Sequence, residues 1–417
     1  MTTTEDIPMG QQLLDEPLDT ATGRVGYIDE VDALTGRRVQ HLVALARRGL
    51  RAAYLPATAQ VAHTVRAVAG AEGVHLQQEG TNLRYAAIAA LGLARLPLAE
   101  QQEILSGSSA GELTAHCVQR AQRHPDLGAV ALSAWAAAEA GSTYAEPLFD
   151  RLAAALHGGR PLAAVELSWT LTAAASAAGL DGTGDATADL LTRAATRLVQ
   201  HQSPSGLFTH VLPSRGVPRW RAHVGSFADQ VYPLQALARA ARHTGSKRLL
   251  RAAERTASRI CALQGPAGQW WWHYDSRTGG VVERYPVYSV HQHAMAPMVL
   301  MDLWEAGGAD HRAEVAAGLA WFDHNPEVVE ELRSDRFGLV WRKVGRREPP
   351  KAARAVGAAT TSLWPGARVP ALDRLLPPVV VDHECRPYEL GWLLHAWLPP
   401  TTPGSGTGSA PVGGPRG

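Results

Sequence analysis

Between its two ends the chain places apolar residues at intervals of three and four, the period of a helix with one buried face. Ala, Leu, Arg and Glu dominate these stretches, and they are good helix formers. The pattern predicts helices near 33–52, 57–69, 81–95, 110–123, 127–141, 145–157, 161–179, 185–201, 226–243, 246–263, 288–306, 310–323 and 386–398. Breakers such as "AGSTY", "AAGLDGTGD", "HTGSK" and "EAGGAD" separate them, and short links of this kind join antiparallel neighbours. Few runs of alternating β-branched residues interrupt the pattern. The expected fold class is therefore all-α, an α/α toroid built as a ring of about six helical hairpins. Residues 1–25 are polar and aperiodic and predict a flexible arm. Residues 26–398 predict a single domain, and the Pro-, Gly- and Ser-rich stretch 399–417 predicts a disordered tail.

An internal repeat supports the ring. "RLVQHQSPSGLF" carries Gln202, Gly206 and Phe208, and "RICALQGPAGQW" carries Gln264, Gly268 and Trp270. Both read [LI]-x-x-x-Q-x-x-x-G-x-[FW], with a weaker echo in "SDRFGLVW" around Gly338. A repeated turn of this kind marks a repeat architecture. A Gln amide can bond free carbonyls at a helix end, a glycine permits a sharp turn, and the ring packs over it. The pattern resembles the QW repeat, Q-x-x-x-G-x-W, of the terpenoid cyclases and their α/α-toroid relatives. The paired helices also resemble those of the six-hairpin glycosidases and the related polysaccharide lyases and uronate epimerases. In this resemblance "EGTNLRYAAIAALGL" (79–93) stands where such enzymes open an inner helix with polar groups at its mouth.

Composition narrows the classes. Lys plus Arg number 40 and Asp plus Glu 39, so no net field favours nucleic acid or an anionic membrane. The three cysteines, Cys117, Cys261 and Cys385, form no CxxC pair and no disulfide framework, which fits a reducing cytoplasm. The first residues lack a secretory pattern, and no apolar run is long enough for a membrane span.

Chemistry-bearing residues concentrate in four segments. The first holds Glu79, Asn82, Arg84 and Tyr85, an anion- or hydroxyl-binding set in which Asn82 also suits a helix N-cap. The second places His223 before Asp229, Gln230 and Tyr232 in one helical turn; Asp229 there also favours the helix dipole. The third runs from Trp271 and Trp272 through His273, Tyr274, Asp275, Glu283, Tyr285 and Tyr288 to His291 and His293. It includes "SRTGG", a turn by its residues. Tyr288 and His291 share a helix face, whereas His291 and His293 do not, so they suit acid–base work rather than a metal. The fourth presents Arg386, Tyr388 and Glu389 at the start of the last helix.

Asp229, Tyr232, His273, Asp275, Glu283, Tyr288 and His291 are the expected catalytic residues. Glu79, Asn82, Arg84, Tyr85, His223, Trp271, Trp272, Tyr285, His293, Arg386, Tyr388 and Glu389 are expected to bind substrate. No metal and no cofactor is implied. Sugar faces stack on Trp and Tyr while their hydroxyls and carboxylates need Asp, Glu, His and Arg. The expected partner is thus a small molecule or oligosaccharide, and the expected activity a hydrolase, lyase or epimerase step on a glycan or uronate-containing saccharide. A terpenoid cyclase or prenyltransferase is the alternative, weakened by the absence of Asp-x-Asp-Asp and Asp-Asp-x-x-Asp motifs and by only five Phe. A non-catalytic scaffold or glycan-binding toroid is the third reading.

Overall fold

The computed structural model describes residues 23–71, 73–327, 330–349 and 351–400. The expected arm and tail lie outside the described residues except at their inner ends. There Arg24–Asp29 forms a short helix that buries Val25 and Ile28.

Among the described residues six inner helices form a closed ring: Leu83–Leu93, Leu127–Glu139, Ala164–Ala177, Ala228–Thr244, Ala296–Glu305 and Pro387–Trp397. Each packs on the next, and the last packs on the first. An outer helix precedes each one: Ala33–Ala53, Ala110–Ala121, Glu146–His157, Asp185–His201, Lys247–Ala262 and Arg312–Ala320. The sequence dictates the two layers. Outer helix Lys247–Ala262 buries Leu249, Ala252, Ala253, Thr256, Ala257 and Ile260, one stripe at helical spacing, and exposes its arginines. Inner helix Leu127–Glu139 is buried on every side from Gly128 to Ala138, as its nearly continuous run of apolar and small residues requires.

Closure depends on two glycines. A Cβ on Gly92 would lie 2.3 Å from the Gly391 carbonyl oxygen, and one on Gly391 would lie 2.6 Å from that of Ile88. The first and last inner helices thus meet backbone to backbone.

The repeated turns join neighbouring outer helices. Gln202 Nε2 donates to Gly206 O at 3.1 Å and to Ala252 O, in the following outer helix, at 2.8 Å. Gln264 Nε2 does the same to Gly268 O at 3.0 Å and Glu314 O at 2.9 Å. Gly206 and Gly268 take φ of 86° and 87°, which favours glycine, and Phe208 and Trp270 are buried over the turns.

One expected helix is a strand. Residues 57–69 do not form the predicted helix: Gln60–Gly70 pairs with Gly73–Thr81 as an antiparallel hairpin, Val65 opposite Gln78, and with Glu384–Cys385 on its other edge. Val61, Thr64, Val65 and Val68 suit a pleated surface, and pairing on both edges overrides the helical spacing. The hairpin leads straight into Asn82, whose Oδ1 caps the first inner helix by accepting from Arg84 N at 2.9 Å. A helix at Ala352–Leu363, between the last outer and inner helices, has no counterpart among the predicted elements.

The C-terminal ends of the inner helices converge on Glu139. It accepts from Trp135 Nε1 and Arg239 Nη2 at 2.6 Å each, and pairs with Arg95 and with His395 at 2.8 Å. Burial pushes its carboxyl up, but Arg239, His395 and Arg95 outweigh this and hold it well below the usual carboxylate range. Ion pairs of Arg24 with Asp302 and Glu305 line the same end.

Candidate active site

At the other end of the ring the N-termini of the inner helices surround a cavity of about 700 Å³. Every inner hairpin contributes to its wall. Asn82, Arg84 and Tyr85 come from the first, Asp126 from the second, and Glu166 and Trp169 from the third. Asp229 and Tyr232, then Tyr288, His291 and Met295, then Tyr388, complete it. The concentration of acids here agrees with the positive ends of six helix dipoles.

Asp229 is wholly buried and well held: its Oδ2 accepts from Ser226 N and Ser226 Oγ at 2.7 Å each. Its carboxylate also faces His210, whose Nδ1 lies 3.1 and 3.2 Å from the two oxygens. His210 is half exposed, and the hydrogen bond and charge of Asp229 raise its pKa above the ordinary 6.5 despite partial burial. The imidazole is therefore oriented by a buried carboxylate that favours its charged form, and Nε2 is the ring nitrogen that this pair leaves unused.

A second acidic group sits across the cavity. Arg84 binds Asp126 through Nε at 2.5 Å and through Nη2, and reaches Glu166 at 3.4 Å. Burial raises the Asp126 carboxyl, but the Arg84 bond and charge outweigh it, so it stays ionised below its usual range. The same guanidinium lies 5.4 Å over Trp169, whose ring meets Tyr232 edge-on at 5.0 Å.

The aromatic wall is a set of neutral donors. Burial raises the hydroxyls of Tyr232, Tyr288 and Tyr388, and Tyr232 Oη accepts from Trp392 Nε1 at 2.8 Å. Burial also drives His291 down to about 3, so its ring is uncharged. It belongs to a π-helical turn, His291–Met295, that opens the fifth inner helix. Behind Tyr388, burial pushes the Glu389 carboxyl up to about 8, and its nearest cation, Arg342, is 3.8 Å away.

The cavity continues into a cleft of about 460 Å³ that shares His210, Ser226, Asp229 and Trp272 with it. Arg221, Lys351 and Arg354 line this extension together with Trp220, and Asp229 is the one acid among the described residues of its wall. Arg354 lies 4.7 Å over the Trp272 ring. The Asp229–His210 pair thus stands at the junction of an acidic, aromatic chamber and a cationic one.

Solved structures resemble the chain along the whole ring. An unsaturated glucuronyl hydrolase specific for heparin matches at a TM-score of 0.53, covering 88% of this chain and 96% of its own, at 13% identity. An unsaturated glucuronyl hydrolase from Streptcoccus agalactiae matches at 0.53, covering 95% and 96%, at 10% identity. A possible member of the GH105 family from Klebsiella pneumoniae matches at 0.50, covering 95% and 98%, at 10% identity. The α/α-toroid fold is shared with these structures. No family model matches the chain, and no curated protein matches its sequence.

Of the residues singled out from the sequence, the toroid cavity gathers Asn82, Arg84, Tyr85, Asp229, Tyr232, Trp272, Tyr288, His291 and Tyr388. His273 lies in the wall of the cationic cleft, where burial lowers its pKa well below the ordinary value. The others stand elsewhere. Asp275 organises a turn, accepting from Arg277 N at 2.9 Å, and His223 is buried against Thr361 Oγ1 at 2.9 Å. Glu283 accepts from Tyr285 N at 2.9 Å and pairs with Arg346 at 3.2 Å, while Tyr285 donates to Glu327 at 3.3 Å. Trp271 is buried beside Tyr285, and His293 is buried in the core beside Phe322. Glu79 pairs with Arg66 on the hairpin at 3.3 Å, and Arg386 with Glu384 at 3.0 Å.

Five charged or aromatic wall residues carried no notice in the sequence: Asp126, Glu166, Trp169, His210 and Arg342. Asp126 was open to detection as the N-cap of its helix, where its side chain accepts from Gly128 N at 3.0 Å. Glu166 and His210 have no local signal.

Proposed function

We propose that the chain is a glycan-processing enzyme that cleaves a uronate-containing, anionic saccharide by acid–base chemistry in the toroid cavity. The observation that carries this is the position of the Asp229–His210 pair between the acidic, aromatic chamber and the cationic cleft. A saccharide lying across that junction stacks one sugar on the Trp and Tyr rings of the chamber. Its anionic remainder meets Arg221, Lys351 and Arg354, and the linkage between the two falls at His210.

In this reading charged His210 donates a proton to the departing oxygen as the C–O bond breaks, and Asp229 keeps the imidazole charged and oriented. Glu166, which Arg84 touches at 3.4 Å, accepts a proton from the attacking water. The hydroxyls of Tyr85, Tyr232 and Tyr388 hold sugar oxygens. The unsaturated glucuronyl hydrolases among the structural neighbours support a uronate substrate. The three cysteines are free, and no described helix is long and apolar enough to cross a membrane. The free thiols support a cytoplasmic place of action.

Arg354→Gln tests the cationic cleft. It is expected to weaken binding of an acidic oligosaccharide about tenfold, as loss of a hydrogen bond to a charged group does. It should leave a neutral analogue unaffected and flatten the salt dependence of binding. Calorimetric titration at two ionic strengths measures this, and equal weakening of both ligands would contradict the role given to the cleft.

A further inference from the structure

A cluster on the outer face of the ring has no part in this chemistry. Cys261 lies in the last turn of the outer helix Lys247–Ala262, and His311 and Glu314 open the outer helix Arg312–Ala320. One ligand atom from each, sulfur, ring nitrogen and carboxylate oxygen, lies within 4.8 Å of the other two. His311 Nδ1 is 3.6 Å from Glu314 Oε1. Bonds of roughly 2.0–2.3 Å to one zinc ion place tetrahedral ligands about 3.3–3.8 Å apart, so small side-chain adjustments complete the set.

The histidine supplies the independent reason to look for a ligand. Its side chain is only 11% exposed, and both ring nitrogens are buried with no hydrogen-bond partner. It stands at the N-cap position of its helix yet makes no capping bond. A buried imidazole with neither nitrogen hydrogen-bonded is costly unless something binds it. The backbone beside it is already fixed, because Gln264 Nε2 donates to Glu314 O at 2.9 Å and ties the repeated turn to this helix.

We propose that Cys261, His311 and Glu314 bind a zinc-class divalent cation, with water in the fourth position, and that the ion clamps the fifth outer helix to the sixth. Sulfur, imidazole and carboxylate together select Zn²⁺ or Co²⁺ over the hard cations Mg²⁺ and Ca²⁺. A thiol with no metal bound to it carries its proton near neutral pH. Binding therefore converts a thiol and a metal ion into a metal thiolate and one released proton. Among the described residues no other three such ligands come together.

Full-length protein without a histidine tag, stripped with chelator, is titrated with Co²⁺ and then Zn²⁺. One Co²⁺ per chain, a near-ultraviolet thiolate-to-cobalt absorption, release of about one proton and a higher Tm with Zn²⁺ are expected. Cys261→Ala should abolish the absorption and weaken binding by at least about 100-fold, whereas Cys117→Ala should leave both unchanged. His311→Ala should weaken binding similarly. Absence of the absorption in the unaltered protein, or undiminished binding by folded Cys261→Ala, would overturn the proposal. The unaltered-protein titration decides the matter even if a variant does not fold.

Discussion

Asp229→Asn is expected to lower kcat on an acidic saccharide by about 10²–10⁴-fold, the usual worth of a positioned acid–base group, with KM changed little. The amide still accepts from Ser226 but loses the charge facing His210 Nδ1 at 3.1 Å. The pH profile separates this from simple damage. Asp229 raises the His210 pKa, so the charged ring persists above its ordinary 6.5. Activity that needs charged His210 falls as pH rises through that raised value, and in Asp229→Asn the fall should begin at lower pH. The sign is the same for stability: the Asp229–His210 pairing contributes fully below the unfolded His value and is lost as pH rises through the folded one. An unchanged kcat, or an alkaline limb that does not move, would remove His210 from the mechanism.

Gly391→Val should destabilise the protein by about 3 kcal/mol, the upper part of the usual range for overpacking. The added Cβ would lie 2.6 Å from Ile88 O and 2.9 Å from Ala89 N, both backbone atoms. The first and last inner helices must therefore separate, and that contact is where the ring closes. Gly158→Ala is the control, since a Cβ there meets nothing within 4 Å and should change stability by less than about 0.5 kcal/mol. Urea midpoints of the two variants measure the contrast, and equal midpoints would show that the Gly92–Gly391 approach does not hold the ring shut.

These two sites differ in how far the sequence announces them. Helical spacing is a local property, so outer helices such as Lys247–Ala262 are legible from it, and the Gln202 and Gln264 turns are legible from their repetition. The hairpin at Gln60–Gly70 is not, because its partners, Gly73–Thr81 and Glu384–Cys385, come partly from the far end of the chain. The cavity shows the same limit. Arg84, Asp126 and Glu166 lie on three separate inner hairpins and meet only because the ring brings their N-termini together. Within the aromatic stretch, Trp272, Tyr288 and His291 reach the cavity. Asp275, Glu283 and Tyr285 turn elsewhere: Asp275 is held in its turn by Arg277, and Glu283 and Tyr285 are taken up by Arg346 and Glu327.

One assay tests most directly whether the cavity acts on an acidic saccharide. Purified protein is incubated with panels of uronate-containing oligosaccharides, neutral oligosaccharides and isoprenoid diphosphates, and the products are read by mass spectrometry beside Asp229→Asn. The expected result is cleavage confined to uronate-containing members and lost in the variant. Conversion of an isoprenoid diphosphate, or saccharide cleavage that survives in Asp229→Asn at the full rate, would contradict it.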